Sequence, residues 1–247
     1  MTETPTYAGE NLSAWLREQL APELDQLRGH PWLAAAVAGD LLPQARTTWA
    51  QQDLLWGNLY MPVLTAAAAA APEPAARAFA WLDTTLDDEI AWFRDQAASG
   101  PLWPGGDQIW MSYLGYAHWM RDMAAVGHPR DRIAASGFRA LVIATFTEGS
   151  YHDWWAAIRD LRTDLDPAAA TADPGDWLRW SIRNWAGKSF ADMMADLYAG
   201  LDAAHAAGDP LTAPARAADA LALARRVYQW EAGCWTSMYA GRSGWAR

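Results

Sequence analysis

The sequence predicts an all-α fold, a single bundle of seven to eight helices over residues 1–247. Three observations carry this. Apolar side chains recur at three- and four-residue spacings over long stretches, no stretch shows strand-like alternation, and Gly or Pro punctuates every helix boundary.

The elements follow in order. Over residues 10–28, Leu12, Trp15, Leu16, Leu20, Leu24 and Leu27 keep a period near 3.6, with Asn11 or Ser13 as the cap. A short helical turn follows at 32–37. Pro43 suits the first turn of the next helix and Pro62 marks its expected end, so 43–61 is one helix in which Asp53, Trp56 and Tyr60 share a face. Ala66 to Ala71 is a low-complexity run read as close packing. Phe79, Leu82, Leu86, Ile90 and Phe93 mark a helix over 74–98, with Asp83, Asp87, Asp88 and Glu89 read as its solvated side.

After the Gly100-Pro101 and Pro104-Gly105-Gly106 breaks, Trp110, Tyr113, Tyr116, Met120 and Met123 define a helix over 107–126. The next spans 130–163, where Gly149 is the point of any interruption, with Phe138, Leu141, Thr145, Glu148, His152 and Trp155 inward. Residues 167–175 form a loop. Trp177, Trp180, Trp185, Phe190, Met193 and Leu197 then extend a helix over 175–207. The last, 212–240, carries Leu221, Ala224, Tyr228, Glu231, Trp235 and Met238.

Composition narrows the function. A formal charge of −10 and no Lys/Arg-rich run argue against nucleic acid as a partner. One cysteine, Cys234, excludes a disulfide framework and fits a reducing cytoplasm. No stretch approaches the length of a membrane span, and Met1-Thr2-Glu3-Thr4-Pro5 lacks the start of a signal sequence. Seventeen Trp supply more apolar area than a core of this size requires, and such excess goes readily into pocket walls.

Three acids break their stripes. Asp53, Glu148 and Glu231 lie on three different helices, each among aromatic residues. Burying a carboxylate costs several kcal/mol unless it is paired, and these faces offer almost no Lys. Each is therefore either a group reaching solvent at the bundle's edge or part of a site in which a polar ligand is the partner. If they converge, one carboxylate holds ring amino groups, another shuttles a proton, and flat side chains stack on the ring.

The run His30-Pro31-Trp32-Leu33, Gly39-Asp40-Leu41-Leu42-Pro43 and then Gln52-Asp53-Leu54-Leu55-Trp56 resembles the start of the TenA/thiaminase II family, with its His-Pro-Phe, Gly-x-Leu-Pro and Gln-Asp-x-x-Tyr at the same spacings. Glu231-Ala232-Gly233-Cys234-Trp235-Thr236-Ser237-Met238-Tyr239 is similar to that family's ending. Gly115-Tyr116-Ala117-His118 and the helix from Trp177 to Asp202 resemble its middle. The resemblance implies a haem-oxygenase-like bundle without implying haem or another cofactor. It further implies a homo-oligomer, a dimer or tetramer, for which surface Trp would suit the interfaces.

The activity implied is hydrolytic release of the amino or thiazolium group from the methyl carbon of a 4-amino-2-methylpyrimidine. Asp53 would hold the aminopyrimidine edge, Trp56 would stand as the aromatic wall, Tyr116 would hydrogen-bond the site, and Glu231 would shuttle the proton. The family's nucleophilic Cys is missing, and Glu148 or Tyr151 takes its place. Trp185 stands where a Tyr is usual, and Trp235 completes the substrate-binding set. This resembles the Cys-lacking branch, in which a carboxylate-activated water replaces covalent catalysis.

Cys234 reads more naturally as an apolar filler than as a displaced nucleophile, because a neighbouring acid raises a thiol pKa. Glu148 with His152 and His118 with Asp122 are i, i+4 pairs, so a di-iron oxygenase is the rival enzyme, with His30, His128 and His205 at helix ends or loops. A non-catalytic binding protein is the other alternative.

Overall fold

The computed structural model describes residues 7, 9, 11–124, 133–171 and 173–241. The described residues form ten α-helices: α1 Leu12–Gln19, α2 Ala21–Arg28, α3 Pro31–Ala38, α4 Pro43–Ala70, α5 Ala75–Ala98, α6 Met111–Met123, α7 Ile133–Leu161, α8 Trp177–Trp185, α9 Lys188–Ala206 and α10 Ala213–Ala240. No strand occurs among them. His128, residue 10, residues 125–126 and 130–132, and the N-terminal pentapeptide lie outside the described residues.

The larger number comes from two breaks. The first predicted helix divides at Leu20, where Pro22 sits in the first turn of α2 and has no N–H to continue the ladder. Asn11 caps α1, its side chain accepting from Ala14 N at 2.8 Å. The predicted 175–207 helix divides at Ala186-Gly187, and a Cβ at Gly187 would lie 2.2 Å from the Arg183 carbonyl oxygen. Side chains of α7 satisfy the carbonyls this break releases: His152 Nδ1 lies 2.7 Å from Trp185 O, and Arg159 donates to Ala186 O at 2.8 Å.

One boundary moves the other way. α4 continues through Pro62 to Ala70, with Val63 and Ala67 fully buried. An interior proline costs roughly 3 kcal/mol, and the packing of the following alanine-rich turns outweighs it. Small side chains are required there, because a Cβ at Gly137 of α7 would meet Ala70 Cβ at 2.5 Å.

The predicted start of α6 at 107 is also too early. Gln52 Nε2 donates to Gly106 O and Gln108 O at 2.9 and 2.8 Å, and Trp110 N donates to Gln52 Oε1 at 2.7 Å. These bonds hold the stretch open until Met111. α7 runs without a break through Gly149.

The long helix α7 packs against α4, α8, α9 and α10. Trp49 of α4 sits among Trp32, Trp155, Trp177, Trp185 and Trp235, with ring centroids 5.7–6.3 Å apart. Trp92 stacks on Trp180 at 3.9 Å and Trp154 on Trp235 at 4.0 Å. Each buried Trp removes enough area to contribute about 4–6 kcal/mol before entropy. Most of the tryptophan therefore goes into the core rather than into pocket walls, and no Trp is exposed among the described residues, contrary to the expectation of surface Trp.

Candidate functional site

α3 is fixed by a histidine. His30 Nδ1 accepts from Trp32 N at 3.1 Å, which leaves the proton on Nε2, 3.1 Å from Thr236 Oγ1 of α10. Burial pushes the His30 pKa down to about 4, so the ring stays neutral as the cap requires. Gln52 clamps the 100–110 loop as described above. These contacts fix α4 and α10, which with α5, α6, α7 and α8 line a cavity of about 740 Å³.

All eight sequence-derived site residues line this one cavity: Asp53 and Trp56 from α4, Tyr116 from α6, Glu148 and Tyr151 from α7, Trp185 from α8, Glu231 and Trp235 from α10. Trp56 stacks on Tyr60 at 4.6 Å and on Tyr116 at 5.5 Å, forming a flat aromatic wall. The Trp56 indole N–H is buried without a partner.

Tyr151 donates its hydroxyl proton to Asp53 Oδ2 and accepts from Trp49 Nε1 at 3.0 Å. Tyr60 donates to Glu148 Oε1 at 3.1 Å, and Tyr116 Oη lies 3.1 Å from Thr147 Oγ1. Tyr151 is thus a partner of Asp53, while Glu148 stands separately beside Tyr60.

A fourth acid completes the set. Contrary to the expectation of a fully solvated acidic face on α5, only Asp83, Asp87 and Asp88 of the four are exposed, and Glu89 lines the cavity, with Asn184 Nδ2 3.4 Å from its Oε2. Its spacing from Leu82, Leu86 and Phe93 is that of the apolar stripe, the same signal that singled out Glu231.

Burial raises all four carboxyls. Asp53 is pushed up to about 7, with hydrogen bonds from Tyr151 and Trp49 acting against the loss of solvent and the Glu89 charge adding to it. Glu89 also lies at about 7. Burial and the neighbouring Glu89 lift Glu148 to about 8. Glu231 reaches about 8 through burial and the nearby Asp53, opposed by Tyr116. Among the described lining residues Arg94 is the one cation, and it is exposed.

Cys234 also lines the cavity and is buried. Burial and the Glu231 charge push its thiol well up, which keeps it protonated and a weak nucleophile. The two His–acid pairs of the metal alternative do not assemble. His118 and Asp122 are exposed, and His152 faces the Trp185 carbonyl. Among the described residues no three His, Cys, Asp or Glu side chains are placed to hold a metal ion, and no helix is long and apolar enough to cross a membrane.

No protein-family model and no curated protein matches the sequence. Solved structures do match. A TenA homologue from Pyrococcus furiosus superposes with a TM-score of 0.70 at 14% identity, covering 92% of this chain and 100% of that one. The chain has the TenA fold. A TenA homologue from P. horikoshii OT3 matches at 0.66 and 13% identity, over 94% of this chain and 100% of its own. A TenA family transcription regulator from Silicibacter sp. TM1040 matches at 0.68 and 16%, over 93% and 96%.

Proposed function

We propose that this TenA-fold protein hydrolyses an aminopyrimidine or a related small nitrogen heterocycle, using carboxyl groups alone as acid and base. The observation that carries this reading is the convergence of Asp53, Glu89, Glu148 and Glu231, from four helices, on one aromatic-walled cavity without a buried cation. Protonated acids in such a site await a basic partner.

In this reading the ring lies against Trp56 and Tyr116 and donates to Asp53, which Tyr151 and Trp49 hold in place. The buried Trp56 N–H supplies a donor to a ring nitrogen. In its ionised form Glu148 takes a proton from water, the water oxygen bonds to the exocyclic carbon, and the carbon–nitrogen bond breaks; with the Glu148 pKa near 8 this form grows as pH rises through that value. Glu231 gives its proton to the departing nitrogen. Water and an aminomethyl ring become a hydroxymethyl ring and ammonia, and the proton returns from Glu148 to Glu231 through solvent. Neither Cys234 nor a metal enters this sequence.

The test is ammonia release from the aminomethyl derivative of 4-amino-2-methylpyrimidine. Glu231→Gln should lower the rate about 10²- to 10⁴-fold, the usual worth of proton transfer, with affinity held within about tenfold. Turnover of that variant at the wild-type rate would end the assignment. Tight binding without turnover by the wild type would instead favour a non-catalytic binding protein.

A further inference from the structure

The cavity is longer than one ring requires. On α4 its wall runs from Asp53 to Ala68, and on α5 from Arg94 back to Ala76. Over that part of α4 the helix rises about 22 Å, several times the span of a six-membered ring. The two ends differ in chemistry. Asp53 and Glu89 lie toward the Arg94 end of these two walls, with Glu231 near Asp53, and Glu148 meets Tyr60 about half-way along; beyond it Met61, Leu64, Ala68, Ala76 and Phe79 line the other, outer end, with no charge there but the exposed Asp83.

We propose, resting on the hydrolase reading above, that the ligand is amphipathic: a ring amine held by the inner acids and carrying an apolar chain that lies in the α4–α5 groove. The groove and the acid chamber are one continuous cavity, so one molecule can satisfy both. A protein docked over the outer groove would cover the alanines but leave the Trp56 N–H unpartnered. A ring without a chain would satisfy the acids and leave the groove wet. The side chains at Ala68, Ala76 and Ala80 are small where the chain would lie, and Ala68 and Ala80 are exposed at the open end.

The test is a titration followed by tryptophan fluorescence. The probes are the aminomethyl 4-aminopyrimidine with methyl, butyl, hexyl or octyl at ring position 2, and ammonia release is measured in parallel. Affinity should rise by up to about fourfold per added methylene until the groove is filled. Ala68→Glu, a change at an exposed helical position of the groove, should flatten the series.

A flat series in the wild type would overturn the amphipathic assignment, and ammonia release from the methyl member would show that the hydrolase reading survives it. A rising series without ammonia release would support the chain-binding groove and sink the hydrolase reading. A change in sedimenting mass on Ala68→Glu would make the groove an interface between copies and overturn the assignment.

Discussion

The Tyr151 hydroxyl on α7 donates to Asp53 on α4 and receives the indole proton of Trp49 one turn earlier. This relay is what allows a carboxyl buried among rings to ionise near neutral pH instead of remaining an acid. Tyr151→Phe removes it while preserving the ring. Asp53 should then titrate above 7, and loss of the Tyr151 hydrogen bonds to Asp53 and Trp49 should cost about 1–3 kcal/mol of stability. The acid limb of the kcat/KM profile should move to higher pH, and denaturant unfolding should show the loss.

Glu89 should act in the opposite direction. Its charge raises both Asp53 and Glu148, so Glu89→Gln should lower both pKa values and move the activity profile toward acid. The amide can still meet Asn184 by reorienting. A pH–rate profile of the variant checks this, and an unchanged profile would place Glu89 outside the coupled set.

The stability of the empty protein should fall as pH rises. All four acids have folded pKa values of about 7 or 8, above the values near 4 of an unfolded chain, so between those limits the native state binds more protons. Their stabilising contribution is complete below pH 4 and is lost through pH 7–8. Thermal melts from pH 5 to 9 should show this decline, with a shallower slope in Glu148→Gln.

His152 positions the site without touching it. Its Nδ1 lies 2.7 Å from Trp185 O at the α8 break, and Trp185 walls the cavity. His152→Ala should cost about 1–2 kcal/mol through the unsatisfied carbonyl and should raise KM by severalfold with kcat nearly unchanged. A fall in kcat alone would contradict this positioning role.

Much of this architecture was legible in the sequence, for identifiable reasons. Apolar periodicity located the long helices, with α5 and α10 within one residue of their observed bounds. Reading interrupted stripes located Glu148 and Glu231, because an acid in an apolar register is visible without coordinates. Glu89 interrupted its stripe in the same way but was hidden by three truly solvated neighbours, Asp83, Asp87 and Asp88. Long-range contacts account for the rest. The late start of α6 depends on Gln52, and the α8–α9 break is sustained by His152 and Arg159, none of them local in sequence. The passage of α4 through Pro62 depends on the close packing of Ala70 against Gly137. Local propensity alone favours stopping there.

The central claim is that the cavity stores protons on its acids and passes one to a basic ring. Difference infrared spectroscopy at pH 6 reads this directly, comparing the empty protein with its complex with 4-amino-2-methylpyrimidine. Loss of protonated-carboxyl absorption on binding, reduced in Asp53→Asn and in Glu231→Gln, is the predicted result. A carboxyl region left unchanged by a ring that demonstrably binds would contradict it.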